Sequence, residues 1–65
     1  MRASALRHYY RAYYIGSDGH IFDRVEFACS GDDEAKEYAK TLADHQDVEL
    51  WYNSRKIEFF KRSDL

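Results

Sequence analysis

The side chains of this 65-residue chain that could do chemistry are three histidines, one cysteine and twelve carboxylates. His20 stands between Asp18 and Asp23, and His45 between Asp44 and Asp47. Either set could be drawn as an acid–base pair in which a carboxylate orients the imidazole that moves the proton. Cys29 with His8 could be drawn as a nucleophile and its base. Both chemistries need a third, orienting group and a concave site, and a chain this short leaves little room for a cleft within one subunit. Simpler roles fit these residues better. His20 suits a hairpin turn, His45 the negative C-terminal end of a helix, and Cys29 a small buried hydrophobe. The expectation is a protein that is not an enzyme.

Metal chemistry meets the same difficulty. His8, His20 and His45 are dispersed, with no i,i+4 or C-x-x-C spacing. Asp32-Asp33-Glu34 lacks the alternating ligands and glycine of a calcium loop and reads as a helix start. Gly16 and Gly19 are too short a set for a phosphate loop, and a turn explains them. No metal and no cofactor is expected.

The elements that would position these groups follow from pattern. His8 to Ile15 and His20 to Cys29 are rich in aromatic and β-branched residues and read as strands. Asp18-Gly19 between them predicts a two-residue type I′ hairpin turn. That register sets Ile15 opposite Phe22, Tyr13 opposite Arg24 and Arg11 opposite Glu26. Ser30 or Asp32 can cap a helix whose apolar stripe is Ala35, Tyr38, Ala39, Leu42 and Ala43, ending near Asp44 or His45. Asp32–Lys36 and Lys40–Asp44 could pair on its wet side. Val48 to Tyr52 and Lys56 to Lys61 form a second hairpin around Asn53-Ser54. Its register opposes Leu50 to Ile57, Val48 to Phe59 and, at a cost, Glu49 to Glu58. The predicted fold is α+β, a ββαββ unit whose four-stranded antiparallel sheet carries one helix on one face. Strand order 2-1-3-4 keeps every neighbour antiparallel. The predicted core sets Tyr10, Ala12, Val25, Phe27, Val48, Leu50, Ile57 and Phe59 beneath the helix. One domain spans 1–65, ordered over about 8–61, with frayed tails at Met1–Arg7 and Arg62–Leu65.

One helix covers one side of such a sheet. The other side would then show Tyr9, Arg11, Tyr13, Ile15, Phe22, Arg24, Trp51, Lys56 and Phe60 to water. An apolar patch of that size, with arginine among the aromatics, has the composition of an interface core. The predicted interface residues are Tyr13, Phe22, Trp51 and Phe60, with Arg11 and Arg24 as the polar complement. The expected function is a small interaction module that self-associates as a homodimer through this aromatic face or an edge strand. Another protein is the next partner to consider. The alternative is single-stranded nucleic acid stacked on the open face. Glu26, Glu49 and Glu58 oppose it, because they cancel Arg11, Arg24 and Lys56.

Composition bounds these readings. The formal charge is −2, from 10 basic and 12 acidic residues, which argues against a strongly basic nucleic-acid binder. The segment Asp32 to Asp47 alone carries a net −4. A 65-residue domain buries only about 60% of its unfolded surface and usually needs a staple. A single cysteine excludes an intramolecular disulfide and suits a reducing compartment. A partner subunit is the staple left. No segment is apolar enough to span a bilayer, so no membrane is expected and the expected location is the cytoplasm.

Tyr14-Ile15-Gly16-x-Asp18-Gly19-His20-Ile21, Asp32-Asp33-Glu34-Ala35, Val48-Glu49-Leu50-Trp51 and Arg55-Lys56-Ile57 together resemble a group of short uncharacterised proteins of alphaproteobacteria, notably rhizobia. The resemblance covers about residues 9 to 61. It implies a bacterial, cytoplasmic origin and carries no activity over.

Overall fold

The computed structural model describes residues 8–63. The predicted frayed tail Met1–Arg7 and the last two residues lie outside them. Four strands and one helix run in the order β1 (His8–Ile15), β2 (Ile21–Cys29), α1 (Asp32–Leu42), β3 (Asp47–Tyr52) and β4 (Arg55–Phe60). The strands form one sheet of order β2-β1-β3-β4, antiparallel throughout. The α+β ββαββ fold and its strand order are those predicted. The edge strands are therefore β2 and β4.

The first turn differs from the type I′ expectation. Gly16 N–H donates to His20 C=O at 2.8 Å and Gly19 N–H to Gly16 C=O at 2.9 Å, which makes a three-residue loop. Only Gly19 carries a positive φ, 85°, as the last residue of such a loop requires. The Asp18 carboxylate accepts the His20 N–H at 3.0 Å and braces the turn. The extra loop residue offsets the ladder so that Ile15 faces Ile21, and a bulge then restores the predicted register from Tyr14–Asp23 onward. Phe22 is the residue the bulge inserts.

The second hairpin has the predicted two-residue turn, with Asn53 at φ 56°. Trp51 faces Lys56, but a bulge then inserts Ile57, so Leu50 faces Glu58, Glu49 faces Phe59 and Val48 faces Phe60. The slip separates Glu49 from Glu58 and exchanges the two phenylalanines. Phe60 packs against the core and Phe59 is exposed, the reverse of the predicted arrangement.

The core is Tyr10, Ala12, Cys29, Ala35, Ala39, Ala43, Val48 and Leu50, all buried. Ala35 and Ala39 lie four apart on α1 and Ala43 is its C-cap, and their small side chains let the helix sit close to the sheet. Tyr38, predicted as core, instead lies edge-on over Phe27 at 4.5 Å and is 42% exposed. Val25 and Phe27 are half-buried. At the helix start Gly31 is the N-cap without a side-chain cap, so neither Ser30 nor Asp32 caps it. Ser30 instead donates both its N–H and its hydroxyl to Glu34, at 2.8 and 2.9 Å. The helix stops at Leu42, where Gln46 Nε2 donates to the Leu42 carbonyl at 2.8 Å. The chain beyond β4, expected to fray from Arg62, is tied down. Arg62 N–H donates to Asp47 at 2.8 Å and Ser63 N–H to the Ala43 carbonyl at 3.0 Å.

Candidate functional site

The sheet face away from α1 presents two rungs. One runs Glu26, Arg11, Trp51, Lys56 from β2 to β4, and the next runs Arg24, Tyr13, Glu49, Phe59. Period-2 alternation places these side chains on one face, and the β4 bulge brings Phe59 into it. The Tyr13 and Trp51 rings meet edge to face at 6.3 Å. Both are half-buried, while Tyr9, Ile21 and Phe59 around them are 74%, 54% and 44% exposed. No element lies over this face among the described residues.

Among the described residues, two of its three cations are matched to carboxylates across the rungs, and Arg24 is not. Arg11 Nε donates to Glu26 Oε2 at 3.2 Å. The Glu26 carboxylate, then the Tyr13 hydroxyl, push the Arg11 pKa above its ordinary value. Glu49 accepts Trp51 Nε1–H at 3.0 Å on one oxygen and lies 3.6 Å from Lys56 Nζ on the other. A tryptophan with its indole N–H satisfied offers its ring as an apolar surface.

Of the six predicted interface residues, the structure brings Arg11, Tyr13, Arg24 and Trp51 together. It does not bring Phe22 or Phe60 there. Phe22 is 62% exposed, and its ring stacks on Tyr14, a residue of the helix-side face, at 6.0 Å. Phe60 is part of the packing beneath α1. Ile21 and Phe59 replace them; neither was predicted for this face, and Phe59 was predicted for the core. The signal was present in the second hairpin, because an unbulged register sets Glu49 against Glu58. A penalised pair in an otherwise favourable ladder marks a place where a bulge would help.

The catalytic pairings take different forms. His20 Nδ1 lies 3.3 Å from Asp18 Oδ2, but both side chains are solvated at the hairpin tip, 85% and 72% exposed. Hydrogen bonds from the His20 backbone, then from its ring, hold the Asp18 carboxyl below the usual range. Asp23 Oδ1 accepts the Arg24 N–H at 2.8 Å. His8 faces Cys29 in the ladder as predicted, but its Nδ1 sits 3.1 Å from the Tyr52 hydroxyl, and Cys29 is buried. Neither predicted helix ion pair forms. Asp32 instead accepts the Tyr10 hydroxyl at 2.6 Å. Among the described residues no three His, Cys, Asp or Glu side chains group closely enough to hold a metal, and no helix is long and apolar enough to cross a membrane.

The fold and this surface define a class, a two-layer ββαββ domain with one uncovered aromatic sheet face. No protein-family model, curated protein or solved structure matches the chain.

Proposed function

We propose that the domain is a protein-interaction module that self-associates through the Arg11–Tyr13–Trp51 face of its sheet, giving a symmetric homodimer. The observation that carries this reading is the uncovered Tyr13–Trp51 pair ringed by exposed Tyr9, Ile21 and Phe59. Aromatics with arginine at the centre of a patch are what interface hot spots are made of. Internal pairing of the charges supports a copy of the same surface as partner. Arg11 with Glu26 and Lys56 with Glu49 leave Arg24 as the one unmatched charge of the two rungs, among the described residues, to repel it. The face is favoured over the edges because both edges are blunted. Each edge strand carries a bulge, at Phe22 and at Ile57, and on β2 the Asp23 carboxylate already occupies the Arg24 N–H.

Light scattering on a sizing column, across a wide concentration range, tests the proposal. The expected mass is twice the 7.8 kDa chain. Trp51→Ala should weaken association at least about thirtyfold, the cost of a hot-spot truncation of about 2 kcal/mol. Its far-UV circular dichroism should match the parent. A parent that stays monomeric at every concentration, or a Trp51→Ala protein that associates equally well, overturns it.

A further inference from the structure

A cleft of about 510 Å³ opens at the end of the sheet that holds the β1–β2 turn. Its walls come from that turn, the connection between α1 and β3, and the chain leaving β4. Gly16 and Phe22 line one side, and His45, Asp47, Lys61 and Arg62 the other. The bulge that displaced Phe22 from the predicted sheet face set it here. Tyr14 backs its ring, which is 62% exposed. A side chain at residue 16 would crowd this wall, since a Cβ there would lie 3.5 Å from Phe22 Cδ1 and 3.1 Å from Asp18 Oδ1.

The opposite wall is cationic and held in place. Arg62 N–H to Asp47 and Ser63 N–H to Ala43 pin the Lys61–Arg62 segment. Among the described residues Lys61 has no ion-pair partner, and Asp47, the one carboxylate on the cleft wall, accepts the Arg62 amide N–H. An aromatic ring with an open face, set across a cleft from a lysine, an arginine and an imidazole, suits a planar ring that carries an anion.

We infer that this cleft binds a small aromatic phosphate of the nucleoside monophosphate class. The ring lies on Phe22, and the phosphate is met by Lys61, Arg62 and His45. This site is separate from the sheet face and stands or falls apart from the dimer.

The test is an amide nitrogen–proton NMR titration of the intact protein with adenosine 5′-monophosphate, with inorganic phosphate and adenosine as separate arms. The nucleotide should shift Gly16, Gly19, Phe22 and Asp47 together and bind more tightly than either part alone. Phe22→Ala and Lys61→Gln, both at exposed positions, should each weaken it about fivefold or more. Three results would overturn the site. They are no clustered shift at about 10 mM nucleotide, a concentration ten times a millimolar Kd, inorganic phosphate binding as tightly as the nucleotide, and unchanged affinity in both variants with parental spectra.

Discussion

Tyr10→Phe isolates one oxygen atom. The Tyr10 ring is 2% exposed and packs between Tyr52, at 5.0 Å, and Phe27, at 5.9 Å, contacts that phenylalanine keeps. What it loses is the 2.6 Å hydrogen bond from the hydroxyl to Asp32, which ties β1 to the first turn of α1. A hydrogen bond to a charged group contributes about 1.5–3 kcal/mol. Asp32 is only half-buried and regains water when the hydroxyl is gone, so about 1–2 kcal/mol is expected. A 65-residue domain holds roughly 3–10 kcal/mol in total, and each kcal/mol moves Tm by about 4–8 °C. Urea unfolding followed by circular dichroism should therefore show a lower midpoint at unchanged slope. The pH dependence is a second readout. Burial, then the bond to Asp32, raises the Tyr10 pKa above its ordinary value of 10.0. The folded state thus keeps the proton where the unfolded chain releases it. The stability this contributes is complete below pH 10 and falls above it, by up to about 1.4 kcal/mol per pH unit. The other tyrosines and the lysines cancel in the difference between parent and variant, which should narrow as pH rises past 10. A variant within about 0.3 kcal/mol of the parent at pH 7, or a difference that stays constant from pH 9 to 11, would refute the argument.

Two further predictions test the bulges and the turn. Phe60→Ala should cost about 2–3 kcal/mol and Phe59→Ala less than about 1, measured by urea unfolding, because Phe60 packs against the core and Phe59 faces water. The opposite order would mean that the second hairpin lacks its bulge. Gly19→Ala should cost about 1–2 kcal/mol, since φ 85° is strained for any side chain, whereas Gly31→Ala, in extended backbone with open space around it, should fall within about 0.5. Equal melting temperatures for the two variants would contradict the turn assignment.

The elements were legible in the sequence because each rests on local physics. Period-2 alternation, an Asp-Gly turn and an alanine stripe at helical spacing all point the same way. Strand order was not fixed by pattern: 2-1-3-4 was preferred because it leaves every neighbour antiparallel and lets the helix cross over one strand, and the sheet has that order. The bulges were not legible. At Phe22 the decision lay between a two-residue and a three-residue loop that both use the Asp18-Gly19 pair, and a single inserted residue repairs the register whichever is chosen. At Ile57 the choice balanced apolar pairing against a Glu49–Glu58 clash, and the clash had the greater weight. The helix ion pairs failed for a different reason. Asp32 has a buried hydroxyl within reach, which an i,i+4 rule does not see.

Those two inserted residues decide more than register. Without them Phe22 and Phe60 would join Tyr13 and Trp51 in a broad aromatic face, the one expected from alternation alone. With them Phe60 fills the core, Phe22 turns to the cleft, Glu58 moves opposite Leu50, and the remaining face becomes narrower, with Arg24 left without a carboxylate among the described residues. That bears on which partner the face suits. Stacked single-stranded nucleic acid needs several cations free for phosphate, yet Arg11 is engaged by Glu26 and Lys56 by Glu49, which leaves Arg24 alone on the two rungs. Phosphate contacts weaken steeply with salt, whereas an apolar contact with paired rims does not. Association of the parent should therefore change little between low and moderate salt. A steep loss on adding salt would show that the paired charges, and not the Tyr13–Trp51 centre, hold the partner.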